Sequence, residues 1–298
     1  MLLRVCFLVL AVVLSLPACG QPIRVRDSRG KLFTLPSPPR RIVSVAPSNT
    51  EILFALGLGP RVVGVTDFCD YPPAARALPK VGGVQLNYEK ILSLKPDMVL
   101  AVTNLQKASI AKMEALKLPV FTIDPHTVEE TIAAIELVGR ATGAEAAAKR
   151  VTKQMRAKLN RVRAVLAGVR ERPKVLSIIQ FQPLIVVGPG TFMDDCIRLA
   201  GGRNIAADAK APYPIFSVEK AVQRKPDVIF ISKKQASALL SSPVWRSVPA
   251  VVNRRVYHPN PDLVELPGPR LADGVEMLAK FIHPGLFAKR GGKLAPTP

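Results

Sequence analysis

An internal repeat limits this chain more than any other feature. The stretch Asn87-Tyr88-Glu89-Lys90, followed by Ile91 to Leu94 and then Lys95-Pro96-Asp97-Met98-Val99-Leu100, returns as Ser217-Val218-Glu219-Lys220, Ala221 to Arg224 and Lys225-Pro226-Asp227-Val228-Ile229-Phe230. In each copy Asn or Ser stands where a helix N-cap belongs and Glu falls in the first turn. Lys-Pro-Asp then forces the chain out of the helix. The apolar runs that follow, Met98 to Val102 and Val228 to Ile231, do not alternate, as expected of strands covered on both faces of a parallel sheet. Each copy reads as the helix-to-strand half of a βαβ unit, so the repeat predicts two similar α/β lobes.

Ahead of the repeat, Arg4 precedes an apolar run from Val5 to Leu16 that is too short to span a bilayer and ends at Leu16-Pro17-Ala18-Cys19. It reads as an export signal over residues 1–18. A small residue before Cys resembles a bacterial lipobox, in spite of the unusual Pro17, so Cys19 is expected to carry a lipid; the alternative is an ordinary secretory cut near Ala18. The remaining chain is long enough for two lobes of ordinary size. The pattern assigns 19–143 to the first lobe, 144–172 to a helix between lobes, 173–288 to the second lobe and 289–298 to a disordered tail. Cys69 and Cys196 then lie in different lobes of an exported protein, and two buried free thiols are expected there rather than a disulfide.

Lys and Arg number 42 against 22 Asp and Glu, a formal net charge of +20. Export argues against nucleic acid as the partner. The basic residues are also spread along the chain, and the doublets Arg40-Arg41 and Arg254-Arg255 lack the interleaved aromatics of a base-stacking surface. A solvated basic surface facing anionic lipid or wall polymer fits better.

Taken in order, the pattern predicts a hairpin around Asp27-Ser28-Arg29-Gly30, strands at Ile42 to Val45, Val62 to Val65 and Val120 to Ile123, and a helix near Leu105 to Leu116. From Thr127 to Val169 it is helical with interruptions at Gly139 and Gly143. The later part, about 40 Å at 1.5 Å per residue, would be a stiff strut that lets the lobes hinge little. The second lobe repeats the plan, with a helix capped by Thr191 that stops at Gly201-Gly202, and a final helix opened by Pro267-Gly268-Pro269-Arg270. Ligands of open parallel sheets sit beyond the carboxyl ends of the strands. The loops starting at Ala46, Thr66, Asp124, Gln180 and His258 are therefore expected to line a cleft. Pro47, Tyr71, Phe181, Tyr213 and Asp262 are the candidate ligand-binding residues. Flat aromatics that cost little entropy to order suit a large planar macrocycle, although Phe181 could instead seal a lobe core.

Only His126, His258 and His283 are present; none forms a two-histidine metal motif, and no Gly-x-Ser-x-Gly elbow occurs. Catalysis is not expected, nor a resident metal or cofactor. Asp124 with His126 and His258 with Asp262 leave a bare-metal (Zn or Mn) site across the cleft as a minor alternative.

Arg41-Ile42-Val43-Ser44, Pro47-Ser48-Asn49-Thr50-Glu51, Asp70-Tyr71-Pro72-Pro73, the Asn87 to Asp97 stretch, Gly201-Gly202 and Gly268-Pro269-Arg270 together resemble the substrate-binding lipoproteins of ABC importers for cobalamin, haem and iron-siderophores. The resemblance covers nearly the whole chain after the signal. It implies two α/β lobes with mainly parallel sheets joined by one rigid helix, a ligand in the cleft between them, and a monomer working outside the cytoplasm, either anchored or periplasmic. It also implies delivery to a dimeric permease with ATPase subunits, with Glu89 and Glu219 meeting basic pockets on the two permease subunits. Within that family the residues favour cobalamin or a related corrinoid, with haem or a ferric siderophore as alternative. Two departures stand out: Val81-Gly82-Gly83-Val84 lacks a Trp found in cobalamin binders of this kind, and Leu266 stands where relatives often carry Arg.

Overall fold

The computed structural model describes residues 22–288. The expected signal, the lipidation site Cys19 and the tail at 289–298 lie outside the described residues.

The chain opens with β1 (Ile23–Arg26) and β2 (Leu32–Leu35), then β3 (Ile42–Ser44), α1 (Pro47–Ala55), β4 (Val62–Val65), α2 (Tyr88–Ser93), β5 (Met98–Val102), α3 (Lys107–Ala115) and β6 (Val120–Ile123). Helices α4 (Val128–Thr142) and α5 (Glu145–Leu166) lead to β7 (Lys174–Gln180), β8 (Ile185–Val186), α6 (Phe192–Leu199), β9 (Arg203–Asn204), α7 (Val218–Gln223), β10 (Val228–Phe230) and α8 (Lys233–Ser241). The chain finishes with α9 (Pro249–Val252), β11 (Val256–Tyr257), α10 (Pro261–Val264), α11 (Leu271–Ile282) and α12 (Pro284–Ala288). The first large sheet is all parallel in the order β4-β3-β5-β6. In the second, β11, β10, β7 and β9 run parallel, and only the short β8 is antiparallel to β7. Every residue of β5 and β10 is buried, as their unalternating composition requires.

The repeat has a shared physical basis. Asn87 and Ser217 cap α2 and α7 by accepting the N–H of Lys90 and Lys220. Lys95 and Lys225 then turn the chain with φ of 47° and 49°. The carboxylate of Asp97 accepts the N–H groups of Arg40 and Arg41 just ahead of β3, at 2.7 and 2.9 Å, and Asp227 accepts that of Lys174 at 2.7 Å as β7 begins. Lys-Pro-Asp thus ends a helix and fixes the register of the neighbouring strand in one step.

Helix α4 ends at Gly143 in the left-handed conformation (φ 70°), and α5 runs 22 residues, about 33 Å. It is shorter than the expected 144–172 because it stops at Leu166: Gly168 follows, and residues 167–173 turn back toward β7 through Pro173, which cannot donate a helical hydrogen bond. Helix α11 packs on both α5 and α6, Lys158 of α5 pairs with Asp273 of α11, and Ala272 is buried in the core built on the first sheet. Cys69 and Cys196 are both buried free thiols. The Sγ of Cys69 lies 3.2 and 3.1 Å from the hydroxyls of Thr50 and Thr66, and burial pushes the Cys196 thiol far up, with the Asp195 charge adding to it. Among the described residues no helix is long and apolar enough to cross a membrane.

The β1–β2 hairpin is fastened to the first sheet through Asp27 and through Ser28, whose N–H donates to Thr122 O at 3.0 Å, while Arg29 and Lys31 pair with Glu114 of α3. The Asp27 side chain is 1% exposed; it accepts the N–H groups of Arg29 and Lys31, the Thr122 hydroxyl at 2.8 Å and the Arg29 guanidinium at 2.8 Å. Burial acts to raise its pKa, but the hydrogen bonds from Arg29 and Thr122 prevail and hold it below the ordinary value. Asp27→Ala is expected to lower stability by about 2–4 kcal/mol, because two backbone N–H groups and the Thr122 hydroxyl lose their acceptor and Arg29 keeps only Glu114. A folded-state pKa below the unfolded one gives stability that is present above the unfolded value and lost as pH falls through the folded one. The difference between wild type and mutant in urea titrations should therefore shrink on acidification below about pH 4; equal midpoints at pH 7 would refute this role.

Candidate functional site

The site is built around α1, whose residues Ser48 to Leu53 are all buried although four of them are polar. Pro47 occupies the first helical position, half-buried, and Ala46 offers no side-chain cap. Each buried polar residue after Ser48 has a partner in the sheet or the cleft: Asn49 donates to Leu100 O at 3.0 Å, Thr50 donates to Ser44 Oγ at 2.8 Å, and Glu51 receives Arg270. That last contact joins residues 219 apart in sequence. The Arg270 guanidinium grips Glu51 through two bonds, Nε to Oε2 at 2.9 Å and Nη2 to Oε1 at 2.5 Å, with the Glu51 side chain 3% exposed. It also lies 3.7 Å from the centre of the Tyr71 ring. Arg270 is the N-cap of α11, so this bond and the stacked ring tie that helix to α1 and to the Tyr71 loop of the first sheet.

Tyr71 is placed by a stapled loop. The Lys80 ammonium donates to Cys69 O at 3.1 Å, Arg76 donates to Asp70 O at 3.1 Å, and the turn Pro73–Ala77 closes the segment. On the second sheet, Tyr213 is held by a backbone pairing in which Gly188 donates to Pro212 O at 2.8 Å and Val186 to Pro214 O at 3.2 Å. A Cβ at Gly188 would stand 2.3 Å from Ala211 O, so only glycine lets the Tyr213 segment approach β8. Asp262 sits in the first turn of α10, where Asn260 accepts its N–H at 3.0 Å. A Cβ at Gly274 would fall 1.9 Å from Leu263 O, which makes that glycine the condition for packing α10 on α11.

Tyr71 and Tyr213 are 42% and 56% exposed, an unusual amount of aromatic surface to leave in water. Phe181 is only half-exposed; its ring lies 6.3 Å from that of buried Trp245, it packs on the core of the second sheet, and its N–H is held by Gln235. The sealing role weighed for Phe181 thus accounts for part of its surface. The charge of Asp262 acts on Glu51, Arg270 and Glu265, and that of Asp70 on Glu51. Burial first, then the charges of Asp262 and Asp70, raises the Glu51 pKa even though Arg270 opposes them. Desolvation and Asp262 raise Glu265, and desolvation and Glu265 raise Tyr213. Glu265 and Tyr213 are both exposed.

The proposed histidine and carboxylate metal sites do not assemble. The His126 ring lies 3.5 Å from Asp124 and 3.1 Å from Asn104, His258 Nδ1 meets Ile231 O at 2.8 Å, and the described residues contain no group of three His, Cys, Asp or Glu able to hold a metal. Glu89 and Glu219 stand apart from the cleft chemistry, both exposed in the first turns of α2 and α7. A cavity of about 550 Å³ lies elsewhere, beside α5 and α6 among Leu159, Arg163, Leu166 and Arg198. The residues that sequence reasoning missed are Glu51, Glu265 and Arg270. Glu51 and Arg270 were visible only as parts of motifs, and nothing local marks them as partners.

Residues 42–263 match the family model described as "Periplasmic binding protein". The chain is 35% identical to the uncharacterized ABC transporter substrate-binding lipoprotein YvrC of Bacillus subtilis, over 94% of this chain and 96% of that protein. The crystal structure of the periplasmic vitamin B12-binding protein BtuF of Vibrio cholerae superposes with a TM-score of 0.74 at 30% identity, covering 86% of this chain and 99% of that one. The periplasmic haem-binding protein RhuT from Roseiflexus sp. RS-1 does so with a TM-score of 0.73 at 29% identity, covering 83% and 99%.

Proposed function

The chain belongs to the periplasmic binding protein family, and from that premise we propose that its cleft captures cobalamin or a closely related corrinoid and delivers it to a dimeric permease. The chain is the substrate-binding protein of an ABC importer of the vitamin B12, haem and siderophore type, working outside the cytoplasm. The observation that carries the corrinoid reading is the pair of exposed tyrosines on loops of opposite sheets, Tyr213 and the Tyr71 that stacks on the Arg270 guanidinium held by Glu51. The likeness to a vitamin B12-binding protein supports it.

Pro47, Phe181 and Asp262 complete the contact set in this reading. Lobes at 19–143 and 173–288, joined through 144–172, clasp the ligand. Glu89 and Glu219 meet basic residues of the two permease subunits, and a lipid on Cys19 holds the monomer at the membrane. Cys19→Ser should release the protein or leave an unprocessed precursor, since a hydroxyl cannot carry the thioether-linked lipid; unchanged membrane retention would dismiss the anchor.

Haem or a ferric siderophore is the competing ligand, given the likeness to a haem-binding protein. The raised pKa of Tyr213, caused by desolvation and by Glu265, works against a phenolate that could bind iron. Calorimetric titration with cyanocobalamin, haem and a ferric siderophore panel tests the proposal. Saturable one-to-one binding of cobalamin is expected, and Tyr71→Ala, Tyr213→Ala and Phe181→Ala should each weaken it by about 1–3 kcal/mol, Phe181→Ala with an added loss of stability. No heat with cobalamin alongside one-to-one binding of haem or a siderophore would overturn it.

A further inference from the structure

The cavity of about 550 Å³ beside α5 and α6 shares no residue with the Glu51–Arg270 site, and it is walled by α4, α5, α6 and α11. Its lining follows from helical spacing. On α5, Leu159, Arg163 and Leu166 stand at i, i+4 and i+7, so one helix face offers leucine, arginine and leucine in a row, while Val162 is buried in the core. On α6, Asp195, Arg198 and Leu199 stand at i, i+3 and i+4. The chain leaves α6 at Gly201 with φ of 80°, and a Cβ there would stand 3.0 Å from Leu166 Cδ1, so glycine lets the end of α5 close on the end of α6. The half-buried Leu159, Leu166 and Leu199 join the buried Val128 and Val275 in an apolar surface continuous with the core of the second sheet.

The charged groups of this cavity do not balance. The Asp195 side chain is 9% exposed and spends both oxygens, Oδ2 accepting the Val128 N–H at 2.9 Å and Oδ1 pairing with Arg198. Glu129 is taken by Arg156 at 2.6 Å. Among the described residues neither Arg163 nor Arg172 forms an ion pair, and Arg163 has only a long contact to Asn160 at 3.5 Å. Arg156, Arg163, Arg172 and Arg198 thus meet two carboxylates that are already engaged, and Glu171, exposed next to Arg172, does not line the cavity. Forked donors with no acceptor left, set beside an apolar surface, are the complement of a molecule with one anionic end and one apolar body. The volume lies within the roughly 300–1,000 Å³ of small-molecule pockets.

We propose that this cavity is a second binding site, for an amphipathic anion: an acyl chain that ends in a carboxylate or phosphate. The anionic end is held by Arg163 and Arg172, and the chain lies against Leu159, Leu166, Leu199 and Val275. The site is independent of the corrinoid reading, since it holds none of the residues assigned to the imported ligand. Helix α4 follows the last strand of the first sheet, whereas α6 and α11 pack on the core of the second. A bound chain therefore bridges the two halves of the molecule beside the Asp195 to Val128 bond, and occupancy stabilises the folded state by mass action.

The test separates chain, charge and place. Laurate, dihexanoylphosphatidylglycerol, dodecyltrimethylammonium and acetate are each titrated calorimetrically, below micelle formation, into purified protein carrying Cys19→Ser so that no anchor lipid competes. One-to-one saturation is expected with laurate or with the phosphatidylglycerol, and the tighter of the two tells whether a free acid or a membrane lipid is the natural source. The cation and acetate, which carry the chain or the carboxylate alone, should not saturate. Affinity for the anion that binds should fall by at least about 10-fold in Arg163→Gln with Arg172→Gln, and similarly in Ala167→Trp, which fills the cavity from an exposed position. Thermal melting confirms that each variant is folded, and the exposed arginine pair carries the test if the tryptophan variant is not. No saturation with either anion, equal binding of the cation, or wild-type affinity in a folded variant of either kind overturns the proposal; the last would place the anion in the cleft or elsewhere on the basic surface.

Discussion

Glu89→Arg combined with Glu219→Arg should leave ligand titration near wild type while reducing uptake by more than 100-fold, with each single reversal falling in between. Both glutamates are exposed in the first turn of a short helix, one on each sheet, and neither has an ion-pair partner among the described residues. A carboxylate there is also favoured by the helix N-terminus, but that effect is worth only a few tenths of a kcal/mol. Losing it changes folding little. At a permease surface each reversal would set like charges together, which costs far more and suppresses encounter as well as residence. Ligand-stimulated ATPase activity and uptake in vesicles holding the permease would measure it. Normal import by the double mutant, with normal ligand affinity, would mean that docking uses another surface.

Glu51→Ala is expected to cost about 3–5 kcal/mol and to weaken ligand binding, because it strands a guanidinium that is only 20% exposed. Burial raises the Glu51 pKa in spite of Arg270, so the ion pair does not recover all that desolvating the carboxylate costs. The sign follows: with a folded-state value above the unfolded one, the contribution of Glu51 to stability is complete below the unfolded pKa and declines as pH rises through the folded one. The pair therefore serves geometry more than net stability. Removing both partners, Glu51→Ala with Arg270→Ala, should accordingly be milder than the sum of the single changes by about 1–3 kcal/mol. Additive losses in a denaturant double-mutant cycle, or a Glu51→Ala loss below about 1 kcal/mol, would show that the two residues are not coupled.

What could be read from the sequence was what is local. Asn87 and Ser217 as caps, Gly143 as an interruption and the unalternating β5 and β10 each depend on neighbours within a few residues, and the structure follows them; Gly139, the other expected interruption, instead lies buried inside an unbroken α4. The strut was drawn too long because the Ala, Arg and Leu pattern continues past Leu166, and only the need to re-enter the sheet at Lys174 cuts the helix short. Helix α8 was overlooked because Lys233-Lys234-Gln235 carries no apolar stripe; its place comes from Ala236 and Leu239 buried against the core and from Gln235 bonding Ile179 O and Phe181 N–H. In the site, Tyr71 and Tyr213 could be found as aromatics on prolyl loops. The bond from Arg270 to Glu51 could not, since it depends on how α11 is laid against the first sheet, which no local pattern encodes.

The Arg270–Glu51 tie has a kinetic consequence. It joins α11 to α1 without a ligand, and α11 adds the Lys158–Asp273 pair and the packing on α5. With Glu89 and Glu219 docking as proposed, an empty molecule and a loaded one would present them at nearly the same spacing, and a permease that measures that spacing would not tell them apart. Unloaded protein would then compete for its own transporter, and import should follow the ratio of filled to empty copies rather than the number of filled ones alone.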